Sequence, residues 1–501
     1  MNPQIEALLM RVRKALRWNS LRAHTEVCAR GVGSIAGLSA GLVWHAHVDG
    51  RARLEVASPL STASAFDGVR GTHTGPSGVL EPFELGDLDE FRMATALFFG
   101  SWVDPSAPFV LGCVAHRGDT IVLDARVGPE AWRQPFRIVL AASSLRPRRL
   151  ETLTGDGAAF ELDDYGPGVF CDVPRRLSWH HGWLADRVEI TQVEAVNQAT
   201  SYVVVDARGS RTVRVDRSLP SRVPSTRSPR GRLPLIRGAV DGHETGWFLL
   251  DTGAGVSALE SGLANKLRLP SVGRTWVVTP TSGMGAAYRR AAALTIGPIT
   301  LPEALLLDLD LAATSAALGV RLAGVLGFDL FAQTMVRIVH DPFQVELLSL
   351  DDTPSVAWHG AQFERRVAVL HAVLGSPNHA DYRGHMTLDT ANSAPVVLRE
   401  TVARSLGLRQ KIGRRAIRGV ADTGGVADAA NLVVGTLPWI DVGAARFENV
   451  RTLIAGSMEG TLSGATTLGS IGWGLFQRRE IYLDWSRRRI AILHGASSLH
   501  A

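Results

Sequence analysis

The chain has 501 residues, 46% hydrophobic and 20% charged, which is more apolar material than a disordered polymer carries and more length than one core accommodates, so two or more folded domains are expected. Its 53 basic and 48 acidic residues leave a net charge of only +5, spread along the chain and almost entirely arginine, so no nucleic-acid partner is implied. Three scattered cysteines, Cys28, Cys113 and Cys171, exclude a disulfide framework and a cysteine zinc site.

Residues 2–17 place Ile5, Leu8, Leu9, Val12 and Leu16 at helical spacing, predicting an amphipathic helix. Arg11, Arg13, Lys14 and Arg17 interrupt it, so it does not read as an export signal, which points to the cytoplasm. The uncharged stretches Gly31–Val48 and Gly460–Gln477 are too rich in Gly, Ser, Thr or His to predict a membrane span. From about residue 30 to 205 the period changes. Short runs at Ala52–Val56, Phe109–Ala115, Thr120–Leu123, Phe136–Ala141, Val188–Val193 and Tyr202–Val205, separated by Gly, Asp and Pro, predict a β-rich domain over 1–207.

Inside that domain the glycine run Gly31–Gly37 follows no apolar strand and does not read as a dinucleotide turn. His45 and His47 share one side of a strand, and His180-His181 lie between two tryptophans, but no further ligand stands at convincing spacing, so no metal is expected. Glu161, Asp163 and Asp164 lack the oxygen spacing of a calcium loop. Residues 208–232, rich in Pro, Ser and Arg, read as a linker or extended entry strand.

Beyond the linker the sequence repeats. Phe248-Leu249-Leu250-Asp251-Thr252-Gly253-Ala254, followed by Leu259, Ala264, Leu267 and Leu269, returns as His385-Met386-Thr387-Leu388-Asp389-Thr390-Ala391-Asn392, followed by Leu398, Ala403, Leu406 and Leu408. The aspartates are 138 residues apart and the four later positions 139, so one residue is gained just after Asp389. Each copy then reaches a glycine element, Gly324-Val325-Leu326-Gly327 and Gly469-Ser470-Ile471-Gly472, before alternating strands at Met335–Leu348 and Glu480–Leu493. Two lobes of one fold are predicted, over 233–360 and 361–501. Each puts a carboxylate at the end of an apolar strand, and the pair brought together would share one proton, because like charges in contact raise one pKa strongly. Such a pair activates water and polarises a carbonyl, which is amide hydrolysis without a covalent intermediate. Thr252 and Thr390 suit a reciprocal hydroxyl-to-backbone network holding the two loops.

Leu249-Leu250-Asp251-Thr252-Gly253-Ala254 with the later Val325-Leu326-Gly327-Phe328 resembles the aspartic proteases of the retropepsin and pepsin clan, and residues 240–345 and 380–490 resemble two such lobes in tandem. The resemblance implies a mainly β, bilobal pepsin-like fold. It also implies an endopeptidase acting on an extended peptide or protein through Asp251 and Asp389, with Thr252, Gly253, Thr390, Ala391 and Asn392 in support and no cofactor. Asn392 is expected to donate to the outer oxygen of the second carboxylate. Ala391 departs from the family's glycine and opens the alternative of an inactive peptide- or lipid-binding protein with the same fold. A flap is implied near Ser282-Gly283-Met284-Gly285 with Tyr288 as its aromatic, and near Gly424-Gly425 in the second lobe. Asp422-Thr423-Gly424 matches the triplet better than Asp389 does. It lies 47 residues before Gly469, however, against 80 for Asp389 and 73 between Asp251 and Gly324, so spacing selects Asp389. One chain supplies both aspartates, so a monomer suffices. The N-terminal domain resembles the curved half-barrel of periplasmic lipoprotein carriers, from its leading helix, the strand through Trp44, the charged strand Arg51–Val56 and Phe66-Asp67-Gly68. That resemblance implies the periplasm and an apolar ligand on the concave face.

Overall fold

The computed structural model describes residues 3–18, 26–130, 133–153, 159–169, 171–181, 184–196, 200–204, 213–278, 283–376, 381–408, 432–455 and 467–494. The protein is mainly β. It forms two compact units, one of Met1–Ala207 with the short stretches Gly273–Trp276 and Gly283–Gly285, the other made of the remainder.

In the first unit, thirteen strands form one sheet. Glu26–Ile35 and Leu184–Val196 pair antiparallel at its middle, and the order runs outward to Leu80–Phe83 at one edge and Phe109–Arg117 at the other. The opening helix is Pro3–Ala15, with Ile5, Leu8, Leu9 and Val12 buried as its spacing predicts. A second helix, Leu85–Phe99, joins the two edge strands and was not among the predicted elements. Eleven of its 15 residues are buried, so it shows no polar face and no helical period. Phe98 and Phe99 of this helix pack against Trp44 in one half of the sheet, and Trp44 in turn lies against Phe160 and Trp179 in the other half, so the sheet curves around the helix. Trp44 stacks on Phe98 (4.9 Å between centroids) and Phe160 on Trp179 (4.9 Å), filling the interior. The face on which an apolar ligand was expected is thus occupied by the unit's own side chains. The expected strand at Tyr202–Val205 joins no sheet within its described residues. Its backbone is held by the Arg53 guanidinium, which donates to the carbonyls of Ser201 (2.8 Å) and Val203 (2.9 Å).

In the second unit, the arginine-rich entry stretch carries three short strands, Arg214–Val215, Arg222–Val223 and Ser225–Arg227, each paired with a later strand of the same unit. The strand His243–Leu250 leads to Asp251 and runs parallel to Leu322–Leu326, which pairs antiparallel with Ala258–Glu260. The second lobe repeats the arrangement: Tyr382–Asp389 runs parallel to Gly469–Gly472, which pairs antiparallel with Val396–Arg399. Ala258 faces Val325 and Val397 faces Ser470, so the extra residue of the second copy is absorbed between Asp389 and the returning strand. Such close crossings require glycine. A Cβ on Gly324 would lie 2.2 Å from the Ala258 carbonyl oxygen, and one on Gly472 2.1 Å from that of Ala394. Below these loops a six-stranded sheet draws on both lobes, joined where Met335–Val339 pairs antiparallel with Arg479–Asp484, Val336 facing Leu483 and Ile338 facing Ile481. Its inward side chains are buried, which fixes the lobes at a shared apolar layer.

Candidate active site

Each aspartate sits where an apolar strand ends in a turn of small residues. The Asp251 N–H donates to the Leu326 carbonyl (2.9 Å), extending the parallel ladder by one bond and fixing where the side chain leaves the sheet. The loops then interlock. Thr252 N–H donates to Thr390 Oγ1 (3.0 Å), and Thr390 N–H donates to Thr252 Oγ1 (3.0 Å). Each hydroxyl passes its proton across the lobes, Thr252 Oγ1 to the Leu388 carbonyl (2.9 Å) and Thr390 Oγ1 to the Leu250 carbonyl (2.8 Å). Both threonines are buried, so these four bonds are made in low dielectric and leave neither hydroxyl able to turn.

The threonine lock brings the two carboxyls into hydrogen-bond contact while leaving each partly exposed. Gly253 N–H donates to Asp251 Oδ1 (2.8 Å) and Ala391 N–H donates to Asp389 Oδ1 (2.9 Å), so the alanine makes the bond its glycine counterpart makes. A Cβ on Gly253 would lie 3.0 Å from Asp389 Cγ and 3.1 Å from Asp251 Oδ1, so the bare Cα faces both carboxyls. Burial, then the neighbouring charge of Asp389, pushes the Asp251 carboxyl well above the usual carboxylate range. Burial also raises Asp389, to about 6, against the backbone N–H groups of Ala391 and Asn392 that favour its ionised form. Both carboxyls are thus held above the ordinary range, and the pair gives up its two protons in separate steps that belong to both residues together.

The Asn392 side chain turns the other way from its expected role: its Oδ1 accepts the Ala394 N–H (3.0 Å), and only its backbone N–H acts on Asp389. Three supporting residues escaped the sequence reading. Ser257 Oγ accepts the Gly327 N–H (3.0 Å) while Asp329 Oδ2 accepts the Ser257 N–H (2.8 Å), tying the first aspartate loop to the glycine element behind it. In the second lobe, Trp473 N–H donates to the Asn392 carbonyl (2.7 Å). A lone acid in the apolar run Val325–Phe331 was the one available signal for Asp329.

The expected first flap is the hairpin of Ser271–Val278 and Gly283–Arg290, its turn outside the described residues. Gly283 and Gly285 open the returning strand, and Gly283 lies so close to Trp276 that a Cβ would sit 2.4 Å from the indole Nε1. Tyr288 is buried opposite Leu307, inside the lobe rather than at the hairpin tip, because the strand has by then entered the sheet. Asp422 and the second flap glycines, Gly424 and Gly425, lie outside the described residues. In the other unit, His45 Nδ1 stands 2.8 Å from Glu26 Oε1 and His180 Nε2 3.0 Å from Glu161 Oε2, and among the described residues no three potential ligands converge on a metal position.

Residues 236–330 match the sequence profile of a family described as aspartyl protease. That segment holds Asp251, its strand and the first glycine element, and it stops short of Asp389. Among solved structures the chain is similar to the aspartic proteinase from Irpex lacteus, at 12% identity and a TM-score of 0.35, over 55% of this chain and 97% of that one. None of the curated proteins matches. The chain thus carries a segment of aspartyl protease type, in a mainly β protein with no helix among the described residues long and apolar enough to cross a membrane.

Proposed function

We propose that the protein is an aspartic endopeptidase whose catalytic residues are Asp251 and Asp389. The observation that carries this reading is the pair of partly exposed, hydrogen-bonded carboxyls locked by Thr252 and Thr390. Ionised Asp389 takes a proton from a water held between the carboxyls while protonated Asp251 donates to the carbonyl oxygen of the peptide bond. The water oxygen adds to the carbonyl carbon. Collapse of that adduct breaks the C–N bond, with a proton passing from the pair to the leaving amine. The bond from Ala391 N–H to Asp389 supports activity over an inactive binding role, since the methyl leaves the loop's hydrogen bonding in place.

The test is cleavage of an unfolded protein substrate from pH 3 to 8 by the wild type, Asp251→Asn, Asp389→Asn and the control Asp422→Asn. Loss of cleavage in the first two and retention in the third is expected. Because burial raises both carboxyls and the pair must lose its first proton to act, the rate should climb as pH rises to about 6 and persist at neutral pH, where the second proton is still held. A wild type that cleaves nothing at any pH overturns the proposal.

A further inference from the structure

The lobes of the second unit also meet away from the aspartates, where Met335–Val339 pairs with Arg479–Asp484. His340 follows the first of these strands, its N–H donating to the Arg479 carbonyl (3.1 Å). Its ring stacks on Trp473 (5.8 Å between centroids, 28° between planes). Its Nδ1 accepts from the Arg227 guanidinium (3.1 Å). A guanidinium only donates, so the imidazole is neutral with its proton on Nε2.

Two more guanidinia flank this pair. Arg232 lies in the loop that returns Ser225–Arg227 into Pro234–Val240, and Arg478 directly precedes the strand beside His340. Burial first, and then the field of Arg227 to which both add, lower the histidine to about 4, with Asp341 the carboxylate opposing them. Neither Arg232 nor Arg478 has a carboxylate partner among the described residues. Two buried donors in the same cluster also lack acceptors, Arg227 Nε–H and the Nε1–H of Trp473, a residue only 2% exposed. Gathered like charges and orphaned buried donors both disfavour the fold as it stands. One species answers both deficits: an anion with several acceptor oxygens and more than one charge, since three guanidinia less one carboxylate leave a balance that a monovalent ion does not meet.

We propose that Arg227 and Arg232 of the entry stretch and Arg478 of the second lobe, gathered about His340 of the first, bind a multivalent oxyanion of the phosphate type. The site is separate from the aspartates and is independent of whether the chain is a protease. Its ligand would bridge the lobes, and His340 would report its presence, because an anion beside the ring favours the imidazolium.

The full chain, its histidines labelled for NMR and His340 assigned with His340→Asn, is titrated with inorganic phosphate and with phosphoserine against chloride at matched ionic strength. Binding is followed by calorimetry and by the His340 ring signal. Phosphate is expected to bind and to move the His340 titration upward by about one pH unit. Arg232→Gln with Arg478→Gln, both exposed side chains, should weaken binding by about tenfold or more and abolish the histidine response. Tighter binding of phosphoserine than of inorganic phosphate would identify the source as a phosphorylated chain, and the reverse a free ion. An equal response to chloride, or binding unchanged in the double variant, overturns the proposal.

Discussion

At the residue scale, the candidate site depends on side chains that touch no substrate. From the first lobe, Thr252 Oγ1 both accepts from and donates to the second, so Thr252→Ala orphans the Thr390 N–H and the Leu388 carbonyl in buried surroundings. Two such losses cost on the order of 2–4 kcal/mol, and Thr252→Ser, which keeps the hydroxyl, should restore most of it. Chemical denaturation of the three proteins checks this, and equal stability of the alanine and serine variants would refute it. A second prediction concerns the asymmetric pair Gly253 and Ala391. A methyl at 253 would press on both carboxyls at 3.0–3.1 Å, so Gly253→Ala should lower kcat by about tenfold or more with little change in melting temperature, whereas Ala391→Gly should leave kcat near the wild-type value. The aspartates and threonines were legible in the sequence because their chemistry is local and occurs twice. Asn392 was misread because a side chain's direction is decided by its own turn, where the Ala394 N–H was the nearer partner.

At the element scale, the register of the two aspartate strands followed from sequence, including the extra residue after Asp389, because apolar positions on either side of a motif keep their spacing in a buried strand. The helix Leu85–Phe99 was not legible for the converse reason: it is enclosed on nearly all sides, so the polar face that would reveal a period is missing. Tyr202 resembles a strand residue by composition, yet its segment is held by side chains of other strands, a tertiary effect that no local pattern records. The glycine elements yield a prediction of their own. In Gly472→Ala the new methyl would meet backbone oxygens of Ala394 at 2.1 Å and Asn392 at 2.6 Å, atoms that belong to the second aspartate loop and have no room to yield. The expected cost exceeds about 3 kcal/mol, and protection of the Thr390 amide against hydrogen exchange should fall by at least a hundredfold. Gly360→Ala, where a Cβ meets nothing within 4 Å, is the matched control and should leave that amide unchanged.

At the scale of the whole molecule, the carboxyl pair that would serve catalysis is a burden on the fold, and the sign can be worked out. Asp389 ionises at about 6 in the folded protein against an ordinary 3.8, and Asp251 higher still. Between those values the folded state holds more protons than the unfolded one, so stability is greatest below about pH 4 as far as this pair is concerned and declines as pH rises through 6. Other carboxylates act oppositely: Asp484, ionised beside Arg487 and Arg489, lies below its ordinary range and favours the folded state at neutral pH, so the wild-type curve by itself isolates nothing. The difference between proteins does. Asp251→Asn with Asp389→Asn should unfold at higher urea than the wild type at pH 7, with the gap narrowing on acidification and closing near pH 4, where both wild-type carboxyls are protonated. A gap of the same size at every pH would mean that the substitutions act through packing and that the two carboxyls do not share a proton.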